Sequence, residues 1–434
     1  MNEKHLHSVV LIDDNCVGCT SCLKICPTEA IRLREGKARI IGEKCIDCGE
    51  CIRICPNHAK SAITDTLDIL KNFKYTIAIP SLVLYGQFPG KVGINEMLSA
   101  VKKVGFDEVF EASLGTEIIT NVTKNRILNN SDKKRPLINS TCPATLRLIQ
   151  IRFPELLENV IDIETPIEIA ARLAKNEAVK KTGLKMEEIG VIFISPCTAR
   201  RTSVTNPLGI EKSYIDGVLS MKAVFGDIIR NISGSGDKIS TRSTRESLLW
   251  PIIGGQGDSL GIENYLAVDG IQEVIKVLEE IEMDKLDGLE FFEGMACIGG
   301  CVGGPLTIEN PFIARNRMKN LAKELPNSSY SEEEIKKQIE MYDNGFIRLT
   351  EPIEPKAIMK LDDDIAKSMQ KMEMIKEMMK YLPGIDCGVC GAPTCRAFAE
   401  DIVKGKSQKS ICIVKTMESF KNKGKIEAEM KREE

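Results

Sequence analysis

Apolar residues along this chain fall into two alternating rhythms. KYTIAIPS (74–81), PLINSTC (136–142) and VIFISPC (191–197) are short, nearly continuous apolar runs that read as strands, and DEVFEAS (107–113) is strand-like. GINEMLSAVKKVGF (93–106) carries its apolar residues at helical spacing. This alternation, from about residue 70 to 355, predicts parallel sheets covered by helices. Ligands in such folds gather beyond the carboxyl ends of strands, and two of these runs end on a cysteine, Cys142 and Cys197. Either one alone reads equally well as a packed structural cysteine, but two at strand ends are less easily a coincidence.

The later pattern is mostly helical. CRAFAEDIV (395–403) reads as a helix, as does DIAKSMQKMEMIKEMMKYLPG (364–384). The methionines of the latter, Met369, Met372, Met374, Met378 and Met379, suit either packing on its own domain or an adaptable partner surface. The tail 418–434 reads as a charged helix or a frayed end. GGQGDSLG (254–261) and ISGSGD (232–237) lack the strand–helix context of a nucleotide-binding motif and read as loops.

The 434 residues suffice for about three domains. A net charge of −3 gives no reason to expect nucleic acid or an anionic membrane surface. No apolar run has the length of a secretory signal or a membrane span, so the expectation is a soluble cytoplasmic protein. Sixteen cysteines in a reducing compartment argue for metal or redox chemistry rather than disulfides. With only three histidines, thiolate must do most of any ligation. His58, in CPNHAK, reads as a surface residue, and His5 and His7 lie in a start expected to be flexible.

The cysteines sort by spacing. Cys16, Cys19, Cys22 and Cys26 form C-x2-C-x2-C-x3-C-P, and Cys45, Cys48, Cys51 and Cys55 repeat it 29 residues later. This is the run of bacterial two-cluster ferredoxins, in which the fourth cysteine ligates the other cluster. Cys16, Cys19, Cys22 and Cys55 would hold one [4Fe–4S] cluster, and Cys45, Cys48, Cys51 and Cys26 the second. Cys387, Cys390, Cys395 and Cys412 give C-x2-C-x4-C-x16-C, which resembles the single-cluster module of the B subunit of Rnf-type electron-transport complexes. Zinc is the alternative occupant at both ends of the chain, a more serious one at the second. Four cysteines remain, Cys142, Cys197, Cys297 and Cys301, and their number suggests a fourth metal site built from three distant segments.

Three segments around those cysteines, NSTCPATLRLIQIRFPEL (139–156), SPCTARR (195–201) and EGMACIGGCVGGP (293–305), resemble the three signature segments of [FeFe]-hydrogenases, and IAIPS (77–81) resembles a further segment of that family. The resemblance implies that Cys142, Cys197, Cys297 and Cys301 hold a [4Fe–4S] cluster. Cys301 would bridge it to a diiron unit carrying CO, cyanide and an amine-containing dithiolate, where H2 is split. Met295 would cover that unit, and Pro80 and Ser81 would line one cyanide, with the Ser81 hydroxyl or amide as donor. The glycines of 299–304 would let the backbone approach the cofactor. Four [4Fe–4S] clusters in all would relay electrons to a redox protein such as ferredoxin or to a signalling partner, and maturation proteins would supply the diiron unit.

The departures from the family fall on proton delivery. Thr141 stands where turnover enzymes carry a relay cysteine, and a hydroxyl is far too weakly acidic to replace it. Arg200 replaces a lysine, Ser203 a relay glutamate and Ser195 a methionine, while neutral residues around Val122 and Thr123 replace an acidic pair. That set resembles the sensory (group D type) monomeric members. The competing readings are a polyferredoxin electron carrier, an iron–sulfur assembly factor and an ordinary fermentative hydrogenase. The expected fold is α/β with α+β parts. It comprises a two-cluster ferredoxin-like domain (1–66), a two-lobed α/β H-cluster domain with mainly parallel sheets (67–355), a helical linker (356–380) and a small helical iron–sulfur domain with a charged tail (381–434).

Overall fold

The structure is a computed structural model that describes residues 7–89, 92–129, 134–232, 239–356, 358, 361–362 and 364–421. His5, most of ISGSGD and the tail beyond residue 421 lie outside the described residues. The chain divides into two compact units, one of residues 1–9, 46–49 and 62–356, the other of 10–45, 50–61 and 357–434.

Two parallel sheets organise the first unit. The larger has four strands in the order Glu108–Val109, Tyr75–Pro80, Ile189–Ser195, Gly217–Ser220, with Ile77 opposite Val191 and Ile194 opposite Leu219. Every residue of Ile189–Ser195 is buried, which is why that run is apolar on both faces instead of alternating. Ile94–Lys103, Pro166–Thr182 and Met221–Ile232 pack on this sheet through Met97, Ala171 and Val224. Pro166 opens its helix at the first turn and Gly183, left-handed at φ 72°, ends it. The smaller sheet orders Tyr265–Asp269, Phe291–Met295 and Leu137–Ile138. The helices Pro143–Arg152 and Ile271–Glu282 bury Leu148, Ile275 and Leu278 against its Phe292.

Two expectations change. Only Glu108–Val109 of 107–113 is a strand, because it lies at the sheet edge and the chain turns at Ser113 into the helix Ser113–Asn129. Gly255–Leu260, expected as loop, is a helix. Its glycines are demanded by packing: a Cβ at Gly255 would sit 2.1 Å from the Leu249 carbonyl oxygen, and one at Gly257 2.1 Å from the Tyr265 ring. Tertiary contact overrides the poor helix propensity of glycine here.

In the second unit Ile31–Arg34 and Lys37–Ile40 form an antiparallel hairpin, flanked by the short helices Ser21–Ile25 and Glu50–Arg53. The helix Ile365–Tyr381 packs Ile375 and Met378 against Phe398 of Cys395–Val403, while Met369, Met372 and Met374 remain exposed. His58 is exposed. Among the described residues no helix is long and apolar enough to cross a membrane.

Candidate metal centres

The strand ends of both sheets in the first unit converge on one cavity. Ser81 follows the strand Tyr75–Pro80, and Cys197 follows Ile189–Ser195. Cys142 lies at the start of the helix Pro143–Arg152, shortly after Leu137–Ile138, and Cys297 lies just beyond Phe291–Met295. Cys142, Cys197, Cys297 and Cys301 line this cavity together with Ser81, Thr141, Arg200 and Met295. Pro80 is not on the wall; it ends its strand opposite Ile194, fully buried. The Ser81 amide is spent on the Ile194 carbonyl at 3.1 Å, leaving its hydroxyl as the available donor.

Burial pushes the Cys301 thiol well above its ordinary value, and repulsion from Cys142, Cys297 and Cys197 adds to this. Cys197 is raised by burial and by Cys142, against the opposing Arg200 charge. Thiols that burial and mutual repulsion raise in this way, as at Cys197 and Cys301, ionise when a cation joins them, so the four cysteines on one cavity fit a thiolate-bound metal cluster. Arg200 adds a second sign of fit. Its Nη2 donates to the Thr141 carbonyl at 3.2 Å, and its buried Nε has no partner among the described residues. The Arg200 side chain lines this cavity and brings a fixed positive charge to it, which suits an anionic ligand such as cyanide.

The other residues named from sequence have local roles. The Thr141 hydroxyl is held by Asn139 Nδ2 at 3.0 Å and Gln256 Nε2 at 3.4 Å. The Ser195 hydroxyl accepts the Cys197 amide at 3.0 Å and so shapes the turn that presents that thiol. Ser203 does not reach the cavity of the four thiols. Its hydroxyl donates to the Arg200 carbonyl at 2.9 Å, beside a separate pocket that includes Glu164 and Glu168. The glycines after Cys297 serve loop-on-loop packing: a Cβ at Gly303 would stand 2.0 Å from the Ile298 oxygen, and one at Gly304 2.3 Å from the Pro196 oxygen.

Sequence reading passed over Asn139, Gln256 and Glu293. The only signal for Gln256 was its place among glycines, and Glu293 stood inside EGMAC unremarked. Glu293 is fully buried and accepts the amides of Gly254 at 3.1 Å and Gly257 at 3.2 Å. Gln256, between those glycines, also donates weakly to the Met295 sulfur at 3.7 Å. Burial outweighs the two amides and raises the Glu293 carboxyl from 4.5 to about 8. The folded value lies above the unfolded one, so the folded state holds the extra proton between these pH values. Stability is therefore complete below about pH 4.5 and falls by up to about 1.4 kcal/mol per unit as pH rises towards 8. Melting midpoints of Glu293→Gln, compared with the parent chain, should improve progressively across this window. A difference that stays constant with pH would mean that Glu293 is ionised throughout.

In the second unit a smaller cavity is lined by Cys16, Cys19, Cys22 and Cys55, the crossed grouping expected from the repeat. The two repeats share backbone features. Glu29 and His58 are both left-handed, and the amides of Ala30 and Ala59 each donate to the preceding fourth cysteine, Cys26 and Cys55, at 3.2 Å. Cys51 is pushed up to about 12 by burial, and repulsion from Cys26 adds to this. Cys45 follows the turn Gly42–Lys44, and Cys48 is carried by the first unit. Near the C-terminus, Cys390, Cys395 and Cys412 share one small core, and Cys387 is exposed. Cys390 is raised by burial and by Cys387 and Cys412. Asp386 Oδ1 accepts the Cys395 amide at 2.6 Å and ties the two ends of that loop together.

Comparison with known proteins agrees with this layout. Residues 76–247 and 252–305, more than half of the chain, match the family model of the iron-only hydrogenase large subunit, C-terminal domain. Residues 8–56 match a 4Fe–4S dicluster domain and residues 382–414 an Fe–S cluster family. The chain is 26% identical over 367 residues to the periplasmic [Fe] hydrogenase large subunit of Nitratidesulfovibrio vulgaris, which covers 69% of this chain and 86% of that protein. It is 22% identical over 346 residues to the NADP-reducing hydrogenase subunit HndD of Solidesulfovibrio fructosivorans, covering 68% and 56% respectively. A variant of the [FeFe]-hydrogenase HydA1 from Chlamydomonas reinhardtii aligns with a TM-score of 0.47 and 16% identity, over 65% of this chain and 91% of that one.

Proposed function

The chain belongs to the iron-only, or [FeFe]-, hydrogenase family, and from that premise we propose that it activates H2 reversibly, slowly, and as a sensor of H2 or redox state. The observation that carries this reading is the cavity on which four thiols, Met295 and Arg200 converge. In this proposal Cys142, Cys197, Cys297 and Cys301 hold a [4Fe–4S] cluster. Cys301 would also hold a diiron unit with CO, cyanide and an amine-containing dithiolate, which, when bound, would supply the H2-splitting chemistry.

The chain's own residues position and insulate. Arg200 and the Ser81 hydroxyl are the donors for cyanide, and Met295, 3% exposed, closes the wall. Thr141 is the limiting residue for protons. Its hydroxyl lies on the wall but does not ionise near neutral pH, so it cannot take and return a proton as a thiol does. That is the argument for low turnover and, through it, for signalling. Three further [4Fe–4S] clusters, two N-terminal and one C-terminal, would pass electrons to a redox protein such as ferredoxin or to a signalling partner. Maturation proteins would deliver the diiron unit. Sixteen free thiols suit a reducing compartment, and we place the protein in the cytoplasm.

The infrared spectrum of protein matured with the diiron unit tests the proposal. CO and cyanide bands that shift under H2 are expected; their absence after maturation would leave a polyferredoxin or an assembly factor. Metabolic turnover rates would sink the sensory part alone. Thr141→Cys is expected to raise H2 turnover by about a hundredfold or more, the lower end of the range of about 10²–10⁴ that general acid–base groups contribute. An unchanged rate would move the bottleneck outward, towards Ser203.

A further inference from the structure

We propose that the C-terminal cysteine module is an electron-transfer neighbour of the first N-terminal cysteine loop, docked on it by a built interface that Asp401 positions. The inference rests on the cluster assignments of the proposed function, but not on H2 chemistry.

The contacts all lie within the second unit, and they fall beside cysteines on both sides. Leu23 and Lys24 stand between Cys22 and Cys26, and Gly388 stands between Cys387 and Cys390. A Cβ at Gly388 would lie 3.0 Å from Lys24 Cε and 3.5 Å from Leu23 Cδ2, so the two loops touch through a residue with no side chain. Lys24 Nζ donates to the Asp386 carbonyl and, at 3.0 Å, to that of Pro393, bracketing the loop that carries Cys387 and Cys390. The Leu33 amide donates to the Gly391 carbonyl at 2.8 Å, beside Cys390. Gly391 is obligatory there: φ is +80°, and a Cβ would stand 2.3 Å from the Leu33 oxygen.

The anchor is charged and dry. Asp401, on the helix that begins at Cys395, accepts Arg32 Nε at 2.8 Å and Arg34 Nη2 at 2.6 Å. The Asp401 and Arg32 side chains are 7% and 5% exposed. Thr394 reaches Glu29 at 3.0 Å on the same face. A tethered module that merely hung from the chain would not bury an ion pair, because desolvated charges demand fixed partners. The interface thus holds the loop of Cys387 and Cys390 against the helix Ser21–Ile25, which carries Cys22 and leads into Cys26. One electron can pass between the two cubanes, one oxidised as the other is reduced, with no bond or proton change. The C-terminal site then works in series with the N-terminal pair, not as an independent outlet.

The test is electron paramagnetic resonance of the reduced, iron-loaded full chain, with iron and zinc measured on the same samples. The N-terminal clusters share adjacent cysteines and interact regardless, so the readout is the difference on removing the C-terminal site by Cys395→Ala. Loss of a spin–spin interaction, together with one cubane of iron, is expected. Asp401→Leu should weaken that interaction at full iron content, and Asp401→Asn, which keeps the volume, covers the case in which the leucine variant does not fold. Spectra of the parent chain that are the plain sum of separate clusters would overturn the proposal with the cluster assignments intact. Full coupling in Asp401→Asn and Asp401→Leu would overturn the role of Asp401. Zinc at Cys387–Cys412 would overturn the underlying assignment instead.

Discussion

Cys301→Ser is expected to abolish every CO and cyanide infrared band and all H2 turnover, while leaving the other three cluster sites loaded. Cys301 is the one thiol of the four that the proposal asks to serve two metal groups, and it lines the same cavity as the other three. A serine hydroxyl is a harder donor that ionises far less readily than a thiol, and it does not bridge iron in its place. The Cys301 amide is held by the Pro251 carbonyl at 2.8 Å, so the backbone should stay in place and the effect should be chemical. Iron content and the reduced-state resonance signals of the N- and C-terminal clusters provide the control. Bands that survived would place the bridge to the diiron unit elsewhere.

Gly300→Ala should be severely damaging although it touches no thiol. Gly300 holds φ 84° and ψ −151°, a region that only glycine occupies without strain. Strain there costs about 1–3 kcal/mol. A Cβ would also stand 2.5 Å from the Pro251 oxygen and 2.7 Å from the Ile253 nitrogen, both backbone atoms that cannot swing aside. Overpacking of this kind adds about 1–3 kcal/mol. The displaced segment is the one whose Pro251 carbonyl holds Cys301, so the four thiols should lose their common geometry along with the stability. A melting midpoint lowered by several degrees and iron missing from the central site are the expected readings. Gly254→Ala is the internal control. Its φ is +84° as well, but nothing lies within 4 Å of the added Cβ, so it should show only the backbone strain.

Much of this protein could be read from its order of residues. Cysteine spacing is local chemistry, and the grouping of Cys55 with Cys16, Cys19 and Cys22 in one cavity follows the repeat. The strand Ile189–Ser195 announces itself because burial on both faces leaves no polar positions to confuse its pattern. Elements whose form depends on neighbours were not readable. Gly255–Leu260 is helical because Leu249 and Tyr265 press against its glycines, and nothing within the eight residues quoted for that segment records this pressure. Pro80 and Ser81 were both placed beside the cofactor by the family resemblance, but Pro80 ends the strand Tyr75–Pro80 inside the sheet, and Ser81, just beyond it, lines the cavity.

By itself, then, the sequence determined the thiols, the repeats, the rhythm of strands and helices and the absence of an acidic group at Thr141. These are properties of short stretches, carried by residue type and period. Only the tertiary structure decided that a buried Glu293 stands near Thr141 through Gln256, that Arg200 keeps a donor without a partner among the described residues, and that Asp401 locks the last cysteine module onto the first. Each of these depends on partners far apart in the chain, and burial sets both the charge state and the cost of leaving a donor unmet.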